Sequence, residues 1–325
     1  MSRRVLWTWA RVLAAAGLLA LVAWRLGAGP FLDGLRAVDA PALAAAVALA
    51  VPATLCCAWR WRMVARGMGV DLPFREAVAA YFRSVFLNVA LPGGVVGDVH
   101  RGVRHGRTSG DLGRGVRSVV WERTAGQAVQ FALTAVVLLA LPSPVRSAMP
   151  ALLAVLAALV VVWVLAARGT AGRGRGSLPG RIRAAVAADV RGALLAREAW
   201  PGIVLASVAV VACHAATFVI AARTAGVTAP LRELVPLALL VMAAMVLPNV
   251  GGWGPREGVA AWAFAAAGLG AGAGVATAVA FGVMAVAGSL PGAGVILAGW
   301  LRRAAPGAPE ARAVPLGTAD GVPDA

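Results

Sequence analysis

The chain has 325 residues, of which 60% are hydrophobic and 14% are charged, and its mean hydropathy is +0.81. Soluble domains are roughly half apolar and about a quarter charged, so this composition excludes an ordinary soluble enzyme. The 30 basic residues outnumber the 14 acidic ones. They are scattered among apolar runs rather than gathered on a soluble basic face, which argues against binding of nucleic acid.

Several apolar runs approach the length of about 20 residues that a helix needs to cross a bilayer. The clearest runs are 42–58, 151–167, 203–222 and 273–300. Every backbone amide inside hydrocarbon needs a local partner, so these runs should be helical. We therefore predict an all-α, polytopic integral membrane protein with about eight transmembrane helices, some of them re-entrant or broken.

The arginines beside the spans predict the orientation of the chain. Arg3 and Arg4 precede the first span, whereas the loop at 25–40 balances basic against acidic residues. Arg302 and Arg303 follow the last span. Because positively charged short loops stay in the cytoplasm, both termini are expected on the cytoplasmic side of the cytoplasmic (inner) membrane.

The segment at 77–91 is expected to enter the membrane without crossing it. Its flanks, 60–66 and 101–117, are both rich in arginine, which predicts that both lie inside. The segment is short and stops at Pro92, Gly93 and Gly94. A re-entrant half-helix fits these features better than a full span.

The later segments alternate between apolar spans and basic loops. We predict a span near 119–141, a return span to 167, a surface helix at 181–199, spans near 203–222 and 234–247, a short apolar segment after 258, and a last span to 300. Residues 1–303 should form one transmembrane domain. Residues 304–325 are expected to be a disordered cytoplasmic tail, because their Ala, Pro and Gly composition cannot bury a core.

Cysteine and histidine are too few and too dispersed to indicate metal or nucleophilic chemistry. The three cysteines lie within or beside spans, and no two of the three histidines are spaced as a helical pair. This spacing predicts no metal site, no cofactor and no catalytic residue. The protein is therefore expected not to be an enzyme.

The most informative sequence lies at two interruptions of the hydrophobic pattern. The first runs from 91 to 98 and contains Pro92, Gly93, Gly94 and Gly97. The second runs from 247 to 258 and contains Pro248, Asn249, Gly251, Gly252, Trp253, Gly254 and Pro255. Short spans broken by Gly and Pro in matching places of two halves point to a transport site.

Charged residues accompany each interruption and are candidates for binding the substrate at such a site. They are Asp98, Arg101, Glu122 and Arg123 at the first, and Arg256 and Glu257 at the second. Asp98 could cap a helix. Pro255 suits the first position of a helix that is capped by Gly254. The free amides at the start of this helix would attract a phosphate together with Arg256, and Arg101 or Arg123 would be a second contact. Structural roles, as caps, topology signals and ion pairs, remain the alternative.

Together these motifs resemble the lysylphosphatidylglycerol synthase transmembrane-region family, also called the flippase-like domain. Its members commonly show a Leu-Pro-Gly-Gly segment leading to Gly-Asp and an arginine, then a Glu-Arg pair, then a Pro, Gly-Gly and Arg-Glu-Gly run. The matching residues are Leu91 to Asp98 with Arg101, then Glu122 with Arg123, then Pro248 to Gly258. The resemblance extends from the first span to Trp300.

The resemblance implies a protein that handles lipids. We expect it to bind or translocate an anionic phospholipid or a polyprenyl-phosphate-linked lipid, without the soluble synthase or glycosyltransferase domain that some relatives carry. Its expected partners are membrane lipids. Two alternatives stay open: a non-catalytic accessory subunit that presents lipid to a separately encoded synthase or glycosyltransferase, and a small-solute secondary transporter.

Overall fold

The computed structural model describes most of the chain between the first predicted span and the predicted tail. The described residues are 27–91, 94–147, 186–194, 196–246 and 253–304, with isolated positions at 17, 24 and 149. They form nine α-helices, one short π-helical segment and no strand. The predicted all-α fold is confirmed. The first predicted span, the span at 151–167 and the tail beyond 304 lie outside the described residues.

Nine α-helices carry the described part of the fold. They are α1 (Gly29–Arg36), α2 (Ala40–Gly67), α3 (Phe74–Ala90), α4 (Val96–Thr108), α5 (Leu112–Ala140), α6 (Trp200–Thr224), α7 (Leu231–Ala244), α8 (Pro255–Ala266) and α9 (Ala271–Ala304). The π-helical segment, Val190–Leu194, falls in the predicted surface helix. Aspartates begin the two long helices α2 and α5, where Asp39 and Asp111 accept hydrogen bonds from first-turn amides.

Four of these helices, α2, α5, α6 and α9, are long and apolar enough to cross a membrane. They coincide with predicted spans, and they make the chain a multi-pass membrane protein. Helix α7 was expected to span the bilayer, but it has 14 residues and is not among the four. At 1.5 Å per residue it extends about 21 Å, less than a hydrocarbon core of about 30 Å. The total of eight spans stays a prediction.

Helix α9 lies at the centre of the described bundle. It packs against α1, α2, α3, α6 and α8. Small residues allow this close approach: Gly288 faces Ala46 and Ala50 of α2, and a Cβ at Gly292 would overlap the backbone of Phe82 in α3. The core of the bundle is therefore fixed largely by glycine and alanine contacts.

Helices α3 and α4 form an antiparallel hairpin across the first interruption. Ser84 of α3 contacts Asp98 of α4, and Tyr81, one turn earlier, contacts Arg101, one turn later. Gly94, at φ +65°, lies in the turn, a conformation that glycine adopts without strain. Neither helix is among the four candidate spans. A hairpin of two short helices fits the predicted re-entrant segment, which stays a prediction.

Candidate functional site

A fully buried carboxylate, Glu122 of α5, gathers three donors from other helices. Its Oε1 accepts hydrogen bonds from Arg60 Nε at 3.0 Å and Nη2 at 2.5 Å, and from the Tyr81 hydroxyl at 3.1 Å. Its Oε2 accepts a hydrogen bond from Arg101 Nη2 at 3.0 Å. Glu122 therefore ties α2, α3 and α4 to α5, and neutralises buried charge that would otherwise be costly.

Asp98 continues this network towards the surface of the bundle. Its carboxylate accepts hydrogen bonds from Ser84 and Asn88 and pairs with Arg101 at 3.0 Å and Arg123 at 2.8 Å. Burial opposes ionisation of the Asp98 carboxyl, but the Arg123 and Arg101 guanidinium groups outweigh it and hold its pKa below the usual range. Asp98 is thus an anion shared by two arginines.

The expected capping role of Asp98 is wrong. Helix α4 begins at Val96 with Val95 in the capping position, so Asp98 is its third residue. The amide of Gly97 is instead satisfied from outside the helix, by the Asn88 side-chain oxygen at 2.8 Å. The Asn88 side chain therefore accepts the hydrogen bond that a capping residue would accept, and the Asp98 carboxylate bonds to the arginines.

Arg101 is buried against two aromatic rings. Its guanidinium carbon lies 4.1 Å from the centre of the Tyr81 ring and 4.5 Å from that of Trp61. Its Nε and Nη1 groups donate no hydrogen bond to a described residue. The ring faces make a cation–π contact with the guanidinium instead. Arg101 is therefore enclosed by the cluster and the two rings, whereas 44% of the Arg123 side chain is exposed.

We call these five groups, Arg60, Asp98, Arg101, Glu122 and Arg123, the Glu122 cluster. It brings together all four charged residues predicted at the first interruption. Arg60 and Tyr81 were missed as site residues. Arg60 resembled a topology signal, because it follows the apolar run at 42–58 by two residues. Tyr81 is the one tyrosine of the chain.

The second interruption forms a separate ion pair at the start of α8. Glu257 Oε1 accepts hydrogen bonds from Arg256 Nε at 2.8 Å and Nη2 at 2.5 Å. Its Oε2 accepts one from the Gly254 amide at 2.7 Å. Gly254 is the cap, at φ +108°, and Pro255 is the first helical residue, as predicted. The amide expected to attract a phosphate is thus already bonded to Glu257.

A cavity of about 400 Å³ adjoins both charged groups. Gly94 from the first interruption and Arg256 from the second line it, so the two interruptions meet at one space. Three arginines line it, Arg60, Arg123 and Arg256, and none of its described lining residues is acidic. Much of the remaining lining is apolar, including Leu49, Ala53, Val85, Val210, Met242 and Met284.

The arginines lie at two levels of this cavity. Ser207 of α6 accepts a hydrogen bond from Arg60 at 2.9 Å. Phe218, on the same face of α6, packs against Phe281, whose ring centre is 5.8 Å from the Arg256 guanidinium. The contact points at 207 and 218 are about 16 Å apart along the helix axis. That separation is roughly half the thickness of a hydrocarbon core.

Of the other residues predicted at the interruptions, some pack against neighbouring side chains and others lie outside the described residues. Gly97 packs against Ser84, and Trp253 lies over the Arg256 guanidinium at 4.7 Å. Six positions fall outside the described residues: Pro92, Gly93, Pro248, Asn249, Gly251 and Gly252. Within the described part of the chain, no group of three or more His, Cys, Asp or Glu side chains is arranged to hold a metal ion.

The profile of the lysylphosphatidylglycerol synthase TM region matches residues 8–292 of the chain. The chain belongs to this family. The match covers both interruptions, so the Glu122 cluster and the Arg256–Glu257 pair lie within the family domain. No curated protein matches the chain. Family membership and the apolar helices together make the protein a membrane protein of the flippase-like kind.

Proposed function

We propose that the cavity binds the phosphate of an anionic lipid and that the protein carries this lipid across the cytoplasmic membrane. The observation that carries the proposal is the lining, in which three arginines face a space with no acidic residue among the described positions. The apolar remainder of the lining suits an acyl or polyprenyl chain. A phospholipid and a polyprenyl-phosphate-linked lipid both combine these two features.

Arg123 is the proposed contact for the phosphate. Arg60 and Arg101 are both bonded to Glu122, and each is almost fully buried. Arg123 pairs only with Asp98 among the described acids, and 44% of its side chain is exposed. A hydrogen bond to a charged group contributes about 1.5 to 3 kcal/mol, enough to change the affinity roughly tenfold or more.

The two levels of arginine support passage through the cavity as well as binding. With both termini in the cytoplasm, α2 ends on the cytoplasmic side, so the Glu122 cluster belongs to the inner half of the membrane. Arg256 then lies towards the outer half. A phosphate leaving Arg123 would meet a second cation about 16 Å further on, estimated from the helical rise. This lowers the cost of moving a charge through an apolar region.

The test compares two arginines of α5, one at the cavity and one away from it. Arg123 and Arg114 are each about half exposed and each pair with an aspartate, but only Arg123 lines the cavity. We expect Arg123→Ala to weaken binding of phosphatidylglycerol per folded molecule by roughly tenfold. Arg123→Lys should recover part of the loss, because lysine keeps the charge but not the planar fork. Arg114→Ala should leave the affinity unchanged.

Binding is measured in nanodiscs, and transfer between leaflets is measured with fluorescent phosphatidylglycerol in reconstituted vesicles. Equal affinities for wild type and both Arg123 variants would remove this residue from the site and overturn the proposal. Binding without transfer would support the accessory role instead, in which the lipid is presented to a separately encoded synthase or glycosyltransferase.

A further inference from the structure

Among the residues that the structure describes, the charged groups around the cavity do not balance. Four arginines, Arg60, Arg101, Arg123 and Arg256, adjoin three carboxylates, those of Asp98, Glu122 and Glu257. One positive charge is therefore in excess. A phosphodiester carries one negative charge, so a single phosphodiester would complete the balance.

The arrangement disfavours a cationic head group. Each of the three carboxylates is already bonded to at least one arginine, and none of them is among the described residues that line the cavity. An amino group attached to the lipid would meet no acid in the described lining and would lie near the Arg123 guanidinium. Like charges placed together at a binding site weaken association.

Two glutamines continue the lining beyond Arg123. Gln127 and Gln130 follow Arg123 by four and seven residues in α5, and all three residues line the cavity. Such spacing places them on one face of the helix, about 6 and 10 Å along its axis from Arg123. A group attached to a phosphate at Arg123 would reach this level of the cavity.

The glutamine amides are available in a way that the other uncharged polar groups are not. On the facing helix α6, the Ser207 and Thr217 hydroxyls donate to carbonyls of their own helix, at 2.7 and 2.9 Å. His214 Nδ1 likewise lies 2.9 Å from the Val210 carbonyl oxygen. A side-chain amide offers both donors and an acceptor, which suits a hydroxyl group.

We infer that the lipid class is a single phosphodiester bearing an uncharged, hydroxyl-rich head group, and that the cavity excludes aminoacylated lipids. Arg123 contacts the phosphate, and Gln127 and Gln130 hydrogen-bond to the hydroxyls. This inference rests on the proposed function and specifies its substrate. Glycerol on a glycerophospholipid and a sugar on a polyprenyl phosphate share this chemistry.

The experiment measures binding of four lipids to the full chain in nanodiscs: phosphatidylglycerol, phosphatidylmethanol, lysylphosphatidylglycerol and a polyprenyl-phosphate hexose. Phosphatidylmethanol has the same charge as phosphatidylglycerol but no head-group hydroxyl. We expect wild type to bind phosphatidylglycerol roughly tenfold more tightly than either phosphatidylmethanol or the lysyl lipid. Gln127→Leu with Gln130→Leu should remove the preference over phosphatidylmethanol while leaving the affinity for phosphatidylmethanol unchanged.

Gln127→Glu provides the converse test, because it adds the acid that the lining lacks. This variant should gain affinity for lysylphosphatidylglycerol and lose affinity for phosphatidylglycerol. Competition with the polyprenyl-phosphate hexose identifies the source of the phosphodiester: tighter binding than phosphatidylglycerol assigns a polyprenyl carrier, and weaker binding assigns a glycerophospholipid. Either result is consistent with the inferred lipid class, a single phosphodiester with an uncharged, hydroxyl-rich head group.

The possible failures are distinct. If wild type binds lysylphosphatidylglycerol as tightly as phosphatidylglycerol, the inference is overturned and the proposed lipid binding stands. If phosphatidylmethanol equals phosphatidylglycerol in wild type, the role of the two glutamines is overturned. If none of the four lipids binds, the proposed function itself fails.

Discussion

The two interruptions of the hydrophobic pattern both place a buried arginine beside a buried glutamate, yet they differ in how that arginine is held. At the first, Arg60 bonds to Glu122, which lies 62 residues away, and to Ser207, which lies 147 residues away. At the second, Arg256 bonds to its immediate neighbour in sequence, Glu257. One arrangement joins several helices, and the other is local to the start of α8.

This difference separates two mechanical roles. The Glu122 cluster joins α2, α3, α4 and α5, so movement of any one of these helices would expose or separate buried charges. The Arg256–Glu257 pair lies entirely on α8, so the two residues would stay paired if α8 shifted. We therefore expect the first region to hold the cavity in shape and the second to shift more easily.

The largest effect should come from removing the carboxylate of the cluster. In Glu122→Gln, Arg60 loses its buried counter-ion and Arg101 keeps only Asp98. Breaking a buried ion pair costs about 3 to 5 kcal/mol. Glu257→Gln should cost less, because a single arginine loses its partner and the amide oxygen of glutamine still accepts from Gly254. Thermal unfolding of both variants in one detergent gives the comparison.

The exposed pair of Arg114 and Asp111 supplies the control, since ion pairs at the surface contribute about 0 to 1 kcal/mol. Asp111→Ala also removes a helix cap, so Arg114→Ala is the cleaner variant. Equal losses of stability in Glu122→Gln and Glu257→Gln would show that the long-range bonds add nothing, and the proposed division of roles would fail.

A functional effect is expected from Arg256→Ala, besides the loss of stability that comes from leaving the buried Glu257 carboxylate without its cation. The Glu257 carboxylate keeps its bond to Gly254, so α8 retains its cap. Binding of phosphatidylglycerol at Arg123 should stay within about twofold, since the two arginines lie at different levels. Transfer between leaflets should slow by roughly tenfold, because one charge-assisted contact to the passing phosphate is lost.

The readout for Arg256 is the ratio of transfer rate to affinity, measured on the same reconstituted sample. Arg256→Lys should restore part of the rate, because it keeps the charge without the bidentate geometry. If transfer in Arg256→Ala equals that of wild type, Arg256 serves structure alone. If affinity falls as far as in Arg123→Ala, both arginines contact one phosphate and the two-level arrangement is wrong.

The sequence predicted the long helices well because hydropathy is a local property. The apolar runs at 42–58, 203–222 and 273–300 fall inside α2, α6 and α9. Helix α7 shows the limit of this reasoning: its apolar run reached 247, but the helix ends at Ala244. Where a helix ends depends on its neighbours as well as on its own residues.

The candidate site was predicted in part, for a related reason. Motif spacing identified Asp98, Glu122 and Arg123 as candidates. The arginine that completes the cluster, Arg60, is separated from Glu122 by 62 residues, and no local pattern links them. The Asp98 carboxylate is likewise shared between arginines rather than used as a cap, because Asn88 from the preceding helix satisfies the Gly97 amide.

The smallest expected effect tests how firmly Arg60 and Arg256 are each held in place. A glycine on a facing helix makes room for each guanidinium: Gly126 for Arg60 and Gly282 for Arg256. A Cβ added at Gly126 would lie 2.7 Å from both Nη atoms of Arg60, and one added at Gly282 would come closer still to Arg256 Nη2. By distance alone, Gly282→Ala is the worse substitution.

The bonding of the two arginines predicts the opposite order. Arg60 is fixed by bonds to Glu122 and Ser207 on two different helices, so a shift of its side chain would break bonds to both helices. Arg256 is bonded to Glu257 on its own helix and borders the cavity, so both side chains can shift together. We expect Gly126→Ala to cost about 1 to 3 kcal/mol, the range for overpacking, and Gly282→Ala to cost less. Thermal unfolding of the two variants tests whether the contact distance or the bonding of the arginine determines the loss of stability. A greater loss of stability in Gly282→Ala would show that Arg256 is held as rigidly as Arg60.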